Sequence, residues 1–137
     1  MKIDGRCHCG LVTYSAEVTP ETATICHCTD CQTLSGTAFR TSVVAQQKTF
    51  QLLSGELKTY VKVGDSGIRR AQTFCPTCGS PTYSSSADDQ TSGYNIRIGT
   101  IRQRNHLLPR AQIWCRSAQP WVSDLRAIPA EETESGP

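Results

Sequence analysis

Seven of the eight cysteines fall into three tight groups: Cys7-His8-Cys9, Cys26-His27-Cys28-Thr29-Asp30-Cys31 and Cys75-Pro76-Thr77-Cys78-Gly79. Cysteines one or two residues apart can turn their sulfurs toward a common point, and a tetrahedral ion such as Zn²⁺ takes four such donors at about 2.3 Å. Two of the groups together supply four ligands, and the third leaves a site one ligand short. Completed thiolate sites tend to be structural, while three-ligand sites keep a position open for chemistry. The spacing therefore predicts two zinc ions per chain, one enclosed and one accessible.

The Cys75-Pro76-Thr77-Cys78-Gly79 turn is the strongest local signal. Its glycine permits the positive φ that lets backbone amides point at the sulfurs. A thioredoxin-like redox pair would also use Cys-x-x-Cys, but it expects a βαβ setting that this chain does not offer. Cys7 and Cys9 can complete that ion, which would clasp the start of the chain to its centre. Cys26, Cys28 and Cys31 form the open candidate. A fourth ligand there could come from Cys115, with His27 and His106 behind it, or Cys115 could be a spectator thiol. His8 and His27 each lie between two cysteines, where alternation points them away from the shared focus.

The remaining composition narrows the fold and the partners. At 137 residues the chain predicts one domain, and an apolar content of 37% leaves room for metal to support the core. The net charge of +2 gives no reason to expect nucleic acid. The N-terminus lacks the apolar stretch of a signal peptide, and no run is long enough to span a bilayer. A cytoplasmic setting is expected, where thiols stay reduced and cysteines read as metal ligands.

Short alternating runs predict strands at 11–16, 22–25, 38–45, 49–53, 57–63, 68–74, 80–84 and 94–98, with one helical turn over 30–34 stopped at Ser35-Gly36. Residues 84–93 read as a surface loop, and Pro109 demotes part of 106–114 to a sheet edge. The expected domain covers 1–129, followed by a loose acidic tail at 130–137. Between Tyr94 and Arg126 there are six arginines against one aspartate. They read as a solvated face, or as one or two arginines gripping carboxylates of a small substrate. Trp121 or the edge near Pro109 could serve a homodimer.

The ordered pattern Gly5-x-Cys7-x-Cys9-Gly10-x-Val12-x-Tyr14, Cys26-His27-Cys28-x-x-Cys31, Gly36, Phe74-Cys75-x-x-Cys78-Gly79, Gly99-Thr100, Trp114 and Trp121 resembles the glutathione-dependent formaldehyde-activating enzyme family, which includes centromere-protein-V-like members. The resemblance runs from about Gly5 to Pro129. It implies a mainly β, small zinc-bearing Mss4-like fold of short, coiled antiparallel sheets. It implies a structural zinc on Cys7, Cys9, Cys75 and Cys78, and a second zinc on catalytic Cys26, Cys28 and Cys31. The implied activity is that of a carbon–sulfur lyase, adding glutathione or a similar thiol to formaldehyde or another small aldehyde to form a hemithioacetal.

The chain departs from the family's common pattern in two places, one of them a dipeptide. Gln32 stands where arginine is frequent, and Ile101-Arg102 where Leu-Asp is frequent, which bears on the substrate if those positions shape the pocket. Within the expected pocket, Gly36, Thr37 and Phe39 are lining candidates, and His27 or Asp30 could move a proton. Two alternatives stand beside the enzyme: a non-catalytic zinc module binding a protein or nucleic-acid partner, and a thiol redox protein.

Overall fold

The computed structural model describes residues 1–134, so the last three positions of the expected acidic tail lie outside the described residues. The fold is mainly β. Its strands are β1 (Lys2–Arg6), β2 (Thr13–Cys26), β3 (Arg40–Ala45), β4 (Gln51–Ser54), β5 (Lys58–Val63), β6 (Arg69–Phe74), β7 (Pro81–Ser86), β8 (Tyr94–Arg97) and β9 (Ala111–Ile113). A single α-helix among the described residues, α1 (Thr29–Ser35), joins β2 to β3. The sheet runs β1-β2-β3-β8-β7-β6-β5, with β4 and β9 also on β2. Every pairing is antiparallel except that of β9, which runs parallel to the end of β2.

Two elements differ from the sequence expectation. Residues 13–16 and 22–25 of the expected runs belong to one fourteen-residue strand, β2. Pro20 is tolerated because the pairing with β3 shifts register between Thr19 and Thr24, where no proline N–H is needed. Thr22 Oγ1 fills that irregularity, accepting from the Val44 amide at 2.9 Å. Secondly, β1 carries too little alternation to be visible alone, and it forms against Thr13–Glu17 of β2. The strands on either side of Ser54-Gly55 do not pair with each other: β4 joins β2 and β5 joins β6.

The two faces of the central strands have opposite characters, because side chains alternate across a sheet. Inward-facing Tyr14, Ala16 and Val18 of β2, Val43 and Ala45 of β3, and Ile96 of β8 form the main core. Phe50 stacks on Tyr14 at 5.1 Å and meets Tyr83 edge-on at 5.0 Å, extending the core through aromatic contacts. Burying side chains of this size contributes about 1.5–3 kcal/mol each. Arg40 and Ser42 of β3, Gln72 of β6 and Arg97 of β8 stand on the other face and are linked by hydrogen bonds. That polar face is the floor of the site described below.

No helix among the described residues is long and apolar enough to cross a membrane.

Candidate functional site

Two tight turns with the same local design bring the first sulfur cluster together. In the β1–β2 turn the Cys7 amide donates to the Val12 carbonyl at 3.0 Å, and the Val12 amide donates back to Cys7 Sγ at 3.3 Å. In the β6–β7 turn the Cys75 amide donates to the Ser80 carbonyl at 3.0 Å. Each turn has a glycine with positive φ, Gly10 at 84° and Gly79 at 78°, where a side chain would strain the backbone. The sulfurs of Cys7, Cys9, Cys75 and Cys78 lie within 4.8 Å of one another. The Cys7–Cys9 separation is 3.5 Å and the Cys9–Cys75 separation 3.9 Å.

Those separations fit one tetrahedral ion, since sulfurs about 2.3 Å from a common centre lie about 3.8 Å apart. The Ser80 hydroxyl approaches Cys78 Sγ at 3.2 Å. That hydrogen bond, with backbone amides beside it, pulls the Cys78 thiol down to about 5. Cys7 and Cys75 are buried with Val12 in a small second core, against which Leu57 packs. The four-sulfur set is enclosed by protein on that side and suits a structural role.

The second cluster forms where β2 passes into α1. Cys26 ends the strand, Cys28 caps the helix N-terminus, and Cys31 lies in its first turn. The Cys31 amide donates to Cys28 Sγ at 3.3 Å, which sets the cap. Gly36, at φ 71°, closes the helix by donating to the Gln32 carbonyl. The sulfurs of Cys26, Cys28 and Cys31 lie within 4.8 Å of one another, and no fourth His, Cys, Asp or Glu joins them among the described residues. Burial first, and then the neighbouring Cys26 and Cys28 thiols, push the Cys31 thiol up to about 12. Soft sulfur donors at this spacing fit zinc, with one position left over.

Cys115 does not complete the set: it is exposed, in a 3₁₀ turn at Cys115–Ser117. His27 does not complete it either. It is fully buried, its Nε2 lies 2.8 Å from Gln112 Oε1, and its ring packs edge-on against Phe39. His27 and Phe39 line a groove on the other side of the β2 end, away from the sulfur cluster's cavity. The expectation that Phe39 lines the pocket is thus corrected, and Gly36 and Thr37 do not line it. Asp30 does line it, and accepts from Lys62 Nζ at 2.6 Å.

The open cluster faces a cavity of about 480 Å³. Its floor is the polar face of the sheet: Arg40 and Ser42 from β3, Arg70 and Gln72 from β6, Asn95 and Arg97 from β8. The spacing of two within each strand places these side chains together. Lys62 of β5 and Trp114 stand among the other lining residues. Trp114 has φ 57°, the one non-glycine residue with positive φ among the described residues, and its half-exposed ring carries the Arg116 guanidinium at 5.0 Å. A bulky residue in that conformation costs on the order of 1 kcal/mol, which the surrounding structure must offset.

Sequence reasoning did not find Arg40, Arg70, Gln72 or Lys62. The signal was present as polar residues two apart, at Arg40 and Ser42, Arg70 and Gln72, and Asn95 and Arg97, but such a pattern reads equally as a solvated face. Of the six arginines between Tyr94 and Arg126, only Arg97 lines this cavity. Arg102 instead makes a bidentate pair with Asp4, at 2.8–3.1 Å, and lies outside the pocket. The Arg102 bonds first, then that from Gln103, hold the Asp4 carboxyl down at about 2.

Gln32 ties the C-terminal segment to the cluster. Its Nε2 donates to the His27 carbonyl at 2.8 Å and to the Ser117 carbonyl at 3.0 Å, while Gln119 donates to its Oε1 at 3.0 Å. Gln32→Ala should cost about 1–2 kcal/mol by urea denaturation, because half-buried carbonyls lose their donor. An unchanged midpoint would show that the segment is held by other contacts.

A family model described as glutathione-dependent formaldehyde-activating enzyme matches residues 2–117. The crystal structure of a Rhodobacter sphaeroides protein, solved as a structural-genomics target, is similar with a TM-score of 0.61 and 21% identity. The match covers 80% of this chain and 98% of that one, and at this identity it speaks for the fold alone. No curated protein matches the chain.

Proposed function

This chain belongs to the glutathione-dependent formaldehyde-activating enzyme family, matched over residues 2–117, and on that premise we propose that it adds a small-molecule thiol to a small aldehyde. The observation that carries the reading is the three-sulfur cluster of Cys26, Cys28 and Cys31 opening onto a cavity of about 480 Å³. Cys26, Cys28 and Cys31 would hold one zinc ion, and Cys7, Cys9, Cys75 and Cys78 a second. Zinc at the open cluster, when bound, would supply a Lewis acid that lowers the pKa of an incoming thiol.

The reaction forms one C–S bond and breaks the carbonyl π bond. The thiol's proton ends on the aldehyde oxygen, so no other reactant is needed, and the reverse direction is the carbon–sulfur lyase reaction. Lys62, bonded to Asp30 at 2.6 Å on the cavity wall, is placed to donate to the oxygen as charge develops there. Asp30 holds that ammonium in position. Trp114 and Ile113 line the cavity from the side of β9. Cys26, Cys28 and Cys31 are catalytic in the sense that they form the reacting centre. Cysteines that serve as zinc thiolates suit a reducing compartment such as the cytoplasm.

The test joins composition to turnover. Wild-type protein should contain two zinc ions by metal analysis, and a Cys28→Ser/Cys31→Ser variant should contain one, with its circular dichroism unchanged. Hemithioacetal formation from glutathione and formaldehyde, followed by exchange NMR, should fall roughly a hundredfold in that variant. One zinc in wild type, or equal rates in the two proteins, would overturn the reading.

A further inference from the structure

The charges that line the cavity are badly balanced. Arg40, Lys62, Arg70 and Arg97 face it, and Asp30 is the one carboxylate there among the described residues. Asp30 is already taken by Lys62. The three guanidiniums are left with neutral partners. Arg40 Nη1 and Arg97 Nη2 both donate to Gln72 Oε1, at 3.1 and 2.8 Å. Arg97 Nη1 donates to Ser42 Oγ at 2.8 Å, and Arg70 Nη2 to Ser84 Oγ at 3.4 Å.

Arg97 Nε is shielded from solvent and has no partner at all. Arg40 is 7% exposed. Burial first, and then the Arg40 charge, pull the Arg97 guanidinium down to about 9. Like charges brought together out of water are costly unless an anion pairs with them. Asp30 is held by Lys62, and three thiolates around one zinc ion would carry a single net negative charge, so the three arginines of the floor exceed the anionic charge that the cavity itself supplies. A planar guanidinium fork matches a planar carboxylate through two parallel hydrogen bonds, which a lysine cannot do.

Resting on the reading above for the identity of the reacting cluster, we propose that this cavity is a carboxylate receptor, in which Arg40, Arg70 and Arg97 grip a carboxylate of the substrate beside the clustered thiols. The carboxylate belongs either to the thiol or to the aldehyde. Gln72 is the positioning residue: its single Oε1 holds two of the three guanidiniums at a fixed spacing.

Calorimetry with succinate tests the receptor directly, without turnover. Zinc-loaded wild-type protein should bind it saturably, and Arg70→Gln should weaken binding roughly tenfold to a hundredfold, the range for a lost charge-assisted bond. The Arg70 side chain makes a single hydrogen bond among the described residues, the long one to Ser84, so the fold should survive, and circular dichroism checks that. Arg70→Lys should restore part of the affinity. Unchanged binding in both Arg70→Gln and Arg40→Gln would overturn the proposal, as would inorganic phosphate competing as well as succinate.

Kinetics then separate the two sources of the carboxylate. If the thiol carries it, Arg70→Gln raises KM for glutathione with formaldehyde and leaves the neutral 2-mercaptoethanol unaffected. If the aldehyde carries it, KM rises for glyoxylate with 2-mercaptoethanol. A KM that moves in neither pair would overturn the proposal. Succinate binding that follows the arginines in a protein without turnover would sink the enzymatic reading and keep the receptor. Turnover without succinate binding would do the reverse.

Discussion

Cys75→Ser should lower the melting temperature by roughly 15 °C or more, or prevent folding altogether. The cause is the place of this sulfur. Cys75 is fully buried and lies 3.9 Å from Cys9 Sγ, joining the β6–β7 turn to the β1–β2 turn. Binding of a structural zinc is worth about 10–16 kcal/mol in small zinc-dependent folds, against a typical net stability of about 5–15 kcal/mol for a domain. A serine oxygen is a poor replacement for thiolate, and little apolar packing surrounds the site beyond Val12 and Leu57. Thermal unfolding monitored by circular dichroism, with metal analysis of the same samples, checks the prediction. Cys28→Ser provides the contrast, with a melting temperature within a few degrees of wild type. Equal losses in the two variants would show that the clusters do not divide into a structural and an accessible one.

The sulfur clusters were legible in the sequence because adjacent cysteines carry their geometry with them. Cys7-x-Cys9 and Cys75-x-x-Cys78 each form on a tight turn whose shape depends on a nearby glycine, so local spacing was enough to anticipate which residues could meet. The β character was legible for the same reason, since alternation is local. What stayed hidden was set by long-range pairing. Arg40, Gln72 and Arg97 meet only because β3, β8, β7 and β6 lie side by side in an order that no single strand encodes. Arg102 could not be separated from Arg97 without knowing that Asp4 of β1 would take it. His27, by contrast, follows the alternation expected of a residue between two cysteines: the strand geometry at Cys26 turns it to the far side, onto Gln112 and Phe39.

Gly5→Ala should destabilise the chain by about 3 kcal/mol or more, although it adds a single methyl group. Gly5 pairs directly with Tyr14 across β1 and β2, and the Tyr14 ring occupies the space beside its Cα. A Cβ at Gly5 would come within 2.2 Å of Tyr14 Cζ and 2.3 Å of its hydroxyl oxygen. The ring has nowhere to retreat. It is fully buried, stacks on Phe50 at 5.1 Å, and its hydroxyl lies 2.7 Å from Thr100 Oγ1. Displacing it breaks that hydrogen bond and opens the aromatic centre of the main core. Gly36→Ala supplies the comparison. Nothing lies within 4 Å of a Cβ there, so its cost is conformational alone, about 1 kcal/mol for φ 71°. Urea denaturation of both variants measures the difference, and the variant Gly5→Ala/Tyr14→Val identifies the cause. Once the ring is gone, the methyl group should cost less than about 1 kcal/mol relative to Tyr14→Val. A penalty that persists in the double variant would place the strain in the backbone of β1 and not in the ring above it.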